Sequence, residues 1–235
     1  MSLALLTFVS ILLIIIFIPK WQSKSLDNKQ LNESNLRTIW KNPLFKSLVP
    51  MGFFSYGGLF AIQTLWAGPW MIRVSGYTPE ESAQGLFIIY LCMLISFLVW
   101  GYFVPKFSKN VNDAIRLLKI GAPLNLFVLM LIIYLGPKAG SIHFAIFIVS
   151  SIFLSLTQPA VGMAFSISNA GKALTSFNLL IFIGAFFIQW IIGLIIDAGI
   201  SFNLSEINSF KLAMIFVLIT SLLSYLFFLR KVKIN

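Results

Sequence analysis

The sequence predicts an all-α integral membrane protein, a polytopic bundle of about seven transmembrane helices. Hydrophobic residues make up 59% of the 235 residues and charged residues only 10%, whereas soluble proteins are about a quarter charged. Apolar runs of about 20 residues, the length that crosses a bilayer, recur between short polar breaks. One of them, between Lys46 and Arg73, contains no charge. These observations exclude a soluble domain.

The first apolar run, Met1–Ile18, lacks the basic start and the small-residue cleavage site of a signal peptide. We therefore expect a retained transmembrane helix over residues 1–19. Residues 20–46 follow as a polar, basic linker. Within it, Asn35–Trp40 has the pattern of a short interfacial helix, ended by Pro43, while Lys20–Ser34 fits a disordered linker equally well. Residues 47–235 are predicted to form six further spans.

The second span, Ser47–Gly76, is the stretch around which the chain is organised. Six of its residues fall at helical steps of three and four and so share one face: Gly52, Tyr56, Leu59, Gln63, Trp66 and Trp70. Because lipid does not favour an amide, this face is expected to point inward, toward other helices or a wet cavity. Gln63 as interhelical glue, and the tryptophans as an interface belt, are the alternatives. Gly57 and Ala61 form a small-xxx-small pair that favours close helix packing.

The remaining spans follow from their start and stop signals. Thr78-Pro79-Glu80-Glu81 has the form of a capping box with proline at the first helical position, and it begins a helix that runs to about Val104. The fourth span is predicted over Ile120–Tyr134 and the fifth over His143–Met163, with a kink at Pro159. After a short loop at Asn169–Thr175, the last two are predicted over Ser176–Ile196 and Leu212–Leu229.

Three of the spans carry a polar or small face, which gives the candidate substrate-binding residues. They are Tyr56 and Gln63, Gln158, and Asn178 and Gln189. Neutral amides bind a solute through hydrogen bonds, and leaving one unpaired costs about 1–3 kcal/mol. Amide glue between helices remains the alternative for each residue taken singly.

Catalytic chemistry is not predicted. No Asp/Glu pair and no Ser–His set lies within the spans, so the chain is not expected to be an enzyme. His143 is the single histidine and Cys92 the single cysteine, and no metal site or cofactor is expected. The formal charge of +10 is not taken to indicate a nucleic-acid partner, because the bilayer accounts for its distribution.

Orientation follows from the basic residues. Of the 17 Lys and Arg residues, fourteen lie in the linker, in alternate loops after it and at the C-terminus. The opposite side holds only Arg73, Lys138 and Lys211. The positive-inside rule therefore predicts a cytoplasmic linker and C-terminus in the cytoplasmic (inner) membrane.

Several segments resemble the second half of a major facilitator superfamily transporter. Trp40–Phe45 resembles the segment that leads into the seventh helix of that family, and Leu65–Trp70 with Val74-Ser75-Gly76 is similar to a sequence of many bacterial members. Gly184–Trp190, with Gly193 and Asp197, resembles the eleventh helix. The resemblance implies a secondary transporter of a small solute, with the polar faces around a central cavity. If the polar residues line such a cavity, Trp66 and Trp70 lie toward the outside, where an aromatic pair beside Gly68-Pro69 would narrow its exit.

A loop motif of the family is partly present. Gly101 matches its first glycine, and Lys106 and Lys109 stand at basic positions, but Pro105 replaces the aspartate and Ser108 the second glycine. These departures put a gating salt bridge from this loop in doubt.

By the same resemblance, Met1 falls inside the last helix of the first half. We therefore expect a chain truncated at its N-terminus, or one that pairs with a separate chain supplying the N-terminal half. A stand-alone seven-helix membrane protein, receptor-like or structural and without transport, is the alternative. The substrate and the coupling ion are not predicted.

Overall fold

The computed structural model describes residues 7–13 and 36–232, which belong to two compact units divided between Asn35 and Leu36. Residues 7–13 are helical. The rest of the predicted first span, and residues 20–35 of the linker, lie outside the described residues. Across the described residues the regular structure is helical, without a strand, which confirms the all-α prediction.

The second unit begins with a short helix, α1 (Leu36–Lys41), followed by six helices long and apolar enough to cross a membrane. They are α2 (Pro43–Arg73), α3 (Pro79–Phe107), α4 (Val111–Leu135, extended by a 3₁₀ turn at Gly136–Lys138), α5 (Ser141–Met163), α6 (Ile167–Ser201) and α7 (Glu206–Lys231). The chain is therefore a multi-pass membrane protein. In α1, Ile39 is fully buried, whereas Leu36 and Trp40 are exposed.

The start of α2 lies four residues before the predicted one. The Asn42 side chain accepts hydrogen bonds from the backbone N–H groups of Leu44 and Phe45, at 2.9 and 3.1 Å. Pro43 occupies the first helical position, where its missing N–H costs nothing. The helix ends at Arg73 rather than Gly76, because Gly76 takes a positive φ of 75° in the turn that follows.

Two wide π-turns interrupt α2, at Met51–Tyr56 and Ile62–Trp66. The second comes just before Pro69, which cannot donate to the Leu65 carbonyl and whose ring crowds it. Despite these interruptions the predicted inward face is confirmed. Gly52, Tyr56, Leu59, Gln63 and Trp70 are buried, and Trp66 is partly buried.

Helix α5 departs from α geometry just before Pro159, the residue at which a kink was predicted. Its middle, Ser151–Leu156, is a 3₁₀ helix that leads into the turn containing Pro159. A run of hydroxyls bonds carbonyls three residues earlier: Ser151 to Ile148, Ser155 to Ile152 and Thr157 to Leu154, at 2.5, 2.6 and 2.7 Å. These three carbonyl groups therefore find hydrogen-bond partners within α5 itself.

Several predicted boundaries are wrong, each because a polar segment that reads as a loop is helical. Helix α4 begins at Val111 rather than Ile120, capped by Asn110, whose side chain accepts from the Asp113 N–H at 3.0 Å. The predicted loop Asn169–Thr175 forms the first turns of α6. Helix α7 starts at Glu206 rather than Leu212, and α3 ends at Phe107 rather than Val104.

The core of the bundle lies where α2 crosses α6. A Cβ atom added to Gly57 would stand 2.8 Å from the backbone carbon of Gly184, so the two helices meet backbone to backbone. Ala61, one turn further along α2, is fully buried. The predicted close approach is therefore confirmed at Gly57. Helix α7 packs along α2 and α6, α4 along α5 and α7, and α3 mainly along the first half of α5.

Candidate functional site

An amide, a hydroxyl and an indole meet where α2 and α6 separate beyond their crossing. Gln189 Nε2 donates to Thr64 Oγ1 at 2.8 Å, and Thr64 Oγ1 donates to the Phe60 carbonyl at 2.7 Å. Trp66 Nε1 donates to the backbone carbonyl of Gln189 at 3.2 Å. Thr64 is exposed and Gln189 is only partly buried. This polar cluster therefore opens onto the surface of the bundle.

The neighbouring amide, Gln63, points toward a different helix. Its Nε2 donates to Met93 Sδ on α3 at 2.7 Å, and the Tyr90 hydroxyl donates to the backbone carbonyl of Gln63 at 3.0 Å. Gln63 is 6% exposed. Gln63 and the next residue, Thr64, therefore contact different helices, α3 and α6. Gln63 joins α2 to α3, as expected for interhelical glue.

The other three candidates, Tyr56, Gln158 and Asn178, lie apart from the Thr64–Gln189 pair. Tyr56 is buried, and its ring stacks on Phe60 with centroids 5.3 Å apart. Gln158 on α5 and Asn178 on α6 are partly buried. Within the described part of the chain, the side chains of these two residues form no hydrogen bond. Each is a polar group in a membrane-spanning helix with capacity left for a ligand or water.

Positions along α6 show how the candidates are spaced. Asn178 precedes Gly184 and Gln189 follows it. At 1.5 Å per residue the two side chains stand about 16 Å apart along the axis, on nearly the same face of the helix. Gln63 and Gln189 lie on one side of the α2–α6 crossing, and Asn178 lies on the other. The candidate residues thus lie at two depths along the helices and do not surround a single site.

The two tryptophans differ in environment. Trp70 has no exposed surface, its Nε1 donates to the Ala139 carbonyl at 3.2 Å, and its ring meets Phe144 and Phe210 edge-on. The interface-belt interpretation is therefore wrong for Trp70, which is part of the core.

Trp66 instead lines a cavity of about 230 Å³ together with Arg73, Asp197 and Glu206. There Arg73 Nη1 and Glu206 Oε1 form an exposed ion pair at 2.7 Å. Trp66 thus stands between this cavity and the Thr64–Gln189 pair.

The partial loop motif makes local contacts only. Gly101 is exposed on α3 with open space where a Cβ would stand. The Lys106 ammonium lies 3.9 Å from the centroid of the Tyr102 ring, and the Lys109 N–H donates to Asp113 Oδ2 at 3.1 Å. Among the described residues neither lysine side chain forms an ion pair.

Sequence reasoning missed Thr64, Tyr90 and Met93. Tyr90 and Met93 are three residues apart on α3 and so share a face, which was a usable signal, because a phenol in an apolar helix needs a hydrogen-bond partner there. It also missed Ser55, whose hydroxyl lies 2.8 Å from that of Ser224 on α7. A single serine or threonine in an apolar span differs too little from its neighbours in hydropathy to be identified from the sequence as a functional residue.

No protein-family model matches the chain, and no curated protein or solved structure matches it either. The resemblance to the major facilitator superfamily therefore rests on the quoted segments alone.

Proposed function

We propose that the chain supplies one six-helix half of a secondary transporter of the major facilitator type, which moves a small solute by alternating access. The observation that carries the proposal is the Thr64–Gln189 hydrogen bond. It lies in two long apolar helices, yet Thr64 is exposed and Gln189 only partly buried.

Exposing the Thr64 and Gln189 side chains to lipid would be costly, so we expect water or another protein surface to cover the face of the bundle that carries them. A carboxamide has two donors and an accepting oxygen, and the bond to Thr64 uses only one donor. The remaining polar atoms would lose hydration in hydrocarbon, where nothing replaces it. Water, a solute or another polar protein surface therefore has to meet this face.

The unpartnered amides extend the argument toward the other end of the helices. Asn178 shares its face of α6 with Gln189, and Gln158 lies on α5, which packs against α6 through its last turns. A solute that crosses the membrane has to exchange its hydration for protein groups at successive depths. Polar groups at two levels on neighbouring helices suit such a path better than a single binding point.

Alternating access requires a second bundle that rocks against the first about a midplane site. In this proposal the second bundle covers the face that carries Thr64 and Gln189, whether it belongs to the same polypeptide or to a separate chain. The exposed aromatic rings around the pair, Phe182, Phe186 and Trp190, provide the apolar contact area for it.

The proposed setting is the cytoplasmic membrane, with the linker and the C-terminus in the cytoplasm, as the basic residues predict. Trp66 and the Arg73–Glu206 pair then belong to the outer end of the pathway. The indole of Trp66, which lies next to Gly68 and Pro69 in the last turns of α2, is suited to narrowing that end.

Water access to the pathway tests the proposal. Thr64→Cys and Gln189→Cys are introduced separately into a chain that carries Cys92→Ser. The variants are expressed in the native host, where any partner bundle is present. A charged methanethiosulfonate reagent reacts only with a hydrated thiol, so both cysteines are expected to react in membranes.

Ile215→Cys is the matched control. Ile215 is exposed on α7 and lies nine residues inside the outer end of its helix, as Thr64 does in α2. It is expected to face lipid and stay unreactive. If Thr64→Cys and Gln189→Cys are as unreactive as Ile215→Cys, no aqueous pathway runs along this face and the proposal fails.

A further inference from the structure

The seam between α2 and α7 carries an amphipathic groove that the transport proposal does not use. At its basic end a cavity of about 460 Å³ is lined by Lys41, Lys46 and Lys231, with Pro43, Ser47 and Phe227. The three lysine side chains are exposed. None of them forms an ion pair within the described part of the chain, so their charges are available to a ligand.

Below the lysines the groove becomes apolar. A second cavity of about 210 Å³ is lined by Pro50, Phe54, Thr220, Leu223, Ser224 and Phe227. Phe227 borders both cavities, so they follow one another along the same seam. Leu223 is 60% exposed, which leaves the apolar part open on the side of the bundle. One groove thus has a cationic end at the helix termini and an apolar wall inside the span.

The lining of the groove indicates its occupant. Cationic side chains lie at the helix termini and an apolar wall lies on the side of the bundle. An amphiphile with an acidic headgroup and a hydrocarbon chain matches both parts. From Lys46 to Phe54 along α2 is about 12 Å at 1.5 Å per residue, so the groove accommodates the upper part of an acyl chain below a headgroup.

We propose that this groove binds an anionic phospholipid, with the headgroup phosphate at Lys41, Lys46 and Lys231 and one acyl chain along Phe227, Leu223 and Phe54. Basic pockets between transmembrane helices bind acidic headgroups. Three lysines without a carboxylate among the described lining residues favour a headgroup with net negative charge over a zwitterionic one. This site is independent of the Thr64–Gln189 face.

Lipid binding is measured by native mass spectrometry of the full chain, delipidated in detergent and titrated with dioleoyl-phosphatidylglycerol or dioleoyl-phosphatidylcholine. The chain is expected to bind phosphatidylglycerol at least tenfold more tightly. Each lysine contributes about 1 kcal/mol, or roughly a fivefold change in affinity. The Lys46→Gln/Lys231→Gln double variant is therefore expected to lose most of the preference.

Lys106→Gln/Lys109→Gln is the matched control, because it removes two exposed lysines from another loop. It is expected to leave phosphatidylglycerol binding unchanged. Leu223→Trp, which fills the exposed apolar wall, is expected to weaken the binding of both lipids without removing the headgroup preference.

Three results would overturn the proposal. Equal affinity for the two lipids would show that the lysines do not select a headgroup. Equal losses in the two double variants would show that only general charge matters. If glycerol 3-phosphate displaces the lipid at similar concentration and Leu223→Trp has no effect, the site takes a free phosphate rather than a lipid.

Discussion

Gly57 and Gly184 decide how closely the two central helices approach. A Cβ at Gly57 would stand 2.8 Å from the Gly184 carbon and 2.9 Å from the Ala185 nitrogen, which are backbone atoms that no rotamer change moves. In a bilayer, apolar burial does not drive helices together, so backbone proximity and dispersion contacts supply the association. Because Gly57 and Gly184 have no side chains, the two helices can pack closely, and this contact stabilises the crossing.

Gly57→Ala is expected to destabilise the bundle, because α2 and α6 have to separate to admit the methyl group. Overpacking of this kind costs about 1–3 kcal/mol. Thermal unfolding of the detergent-solubilised chain, followed by circular dichroism, is expected to show a lower Tm for this variant.

Gly171→Ala is the control, since no atom lies within 4 Å of the Cβ it would add. In a helix, alanine is favoured over glycine by about 1 kcal/mol, so this variant is expected to hold or raise the Tm. Equal Tm changes in the two variants would contradict a close crossing at Gly57.

At the residue scale, the sequence predicted which side chains are unusual but not which neighbour each one meets. Gln63 and Gln189 looked equivalent, as amides on faces of small and aromatic residues. In the structure, Gln63 is buried and bonds to Met93, whereas Gln189 is only partly buried and bonds to the exposed Thr64. The difference depends on α3 packing against α2 at that height, a tertiary fact that helical periodicity does not contain.

At the scale of the element, the ends of the helices depend on capping side chains. Thr78 Oγ1 accepts from the Glu81 N–H at 3.2 Å, and Glu81 Oε2 accepts from the Thr78 N–H at 2.8 Å. Both bonds satisfy N–H groups that the first turn of α3 leaves free. This capping box was predicted from four residues and is confirmed.

Thr78→Ala is expected to loosen the first turn of α3 by about 1 kcal/mol. Amide hydrogen exchange at Glu81 and Ser82 is then expected to speed up roughly fivefold, while exchange in the middle of α3 stays unchanged.

Thr175→Ala makes the same substitution at another exposed threonine, inside α6. The Thr175 hydroxyl bonds the Gly171 carbonyl in a regular turn, so its loss is expected to leave exchange near it within about twofold of the parent. Similar acceleration at both sites would show that the Thr78 side chain does not cap the helix.

The misplaced helix boundaries have a common physical cause. Helix α6 has 35 residues, or about 52 Å at 1.5 Å per residue, against a hydrocarbon core of about 30 Å. Its polar first turns, Asn169–Thr175, extend beyond the apolar stretch and look like a loop. Hydropathy marks the part of a helix that lies in lipid, whereas capping marks where the helix ends.

At the scale of the whole molecule, the six spans after the linker and their order were predictable, and their packing was not. Helix α2 has 61% of its most apolar window buried, whereas α3 has 6%. Both contain an apolar stretch long enough to span the membrane, because a membrane helix meets either protein or lipid, and apolar side chains suit both. In a soluble protein, alternating apolar and polar residues distinguish the buried face of a helix from its exposed face. In a membrane helix this difference is weak. The largely uncovered α3 adds to the surface available to lipid or to a second bundle.

Orientation is a property of the whole molecule, because one assignment fixes all six spans. Fourteen of the 17 basic residues lie on one predicted side, and Ser166 and Leu204 flank opposite ends of α6. Both residues are exposed. With Cys92→Ser as the parent, Leu204→Cys is expected to react with a membrane-impermeant maleimide on intact cells. Ser166→Cys is expected to react only after permeabilisation.

The pair of positions makes this test independent of expression level, because each cysteine serves as the control for the other on a single helix. Labelling of Ser166→Cys alone on intact cells would reverse the orientation and place the basic groove at the outer surface. Labelling of both on intact cells would mean that α6 does not cross the membrane. Labelling of Leu204→Cys alone on intact cells is the result that the fourteen-to-three division of the basic residues requires.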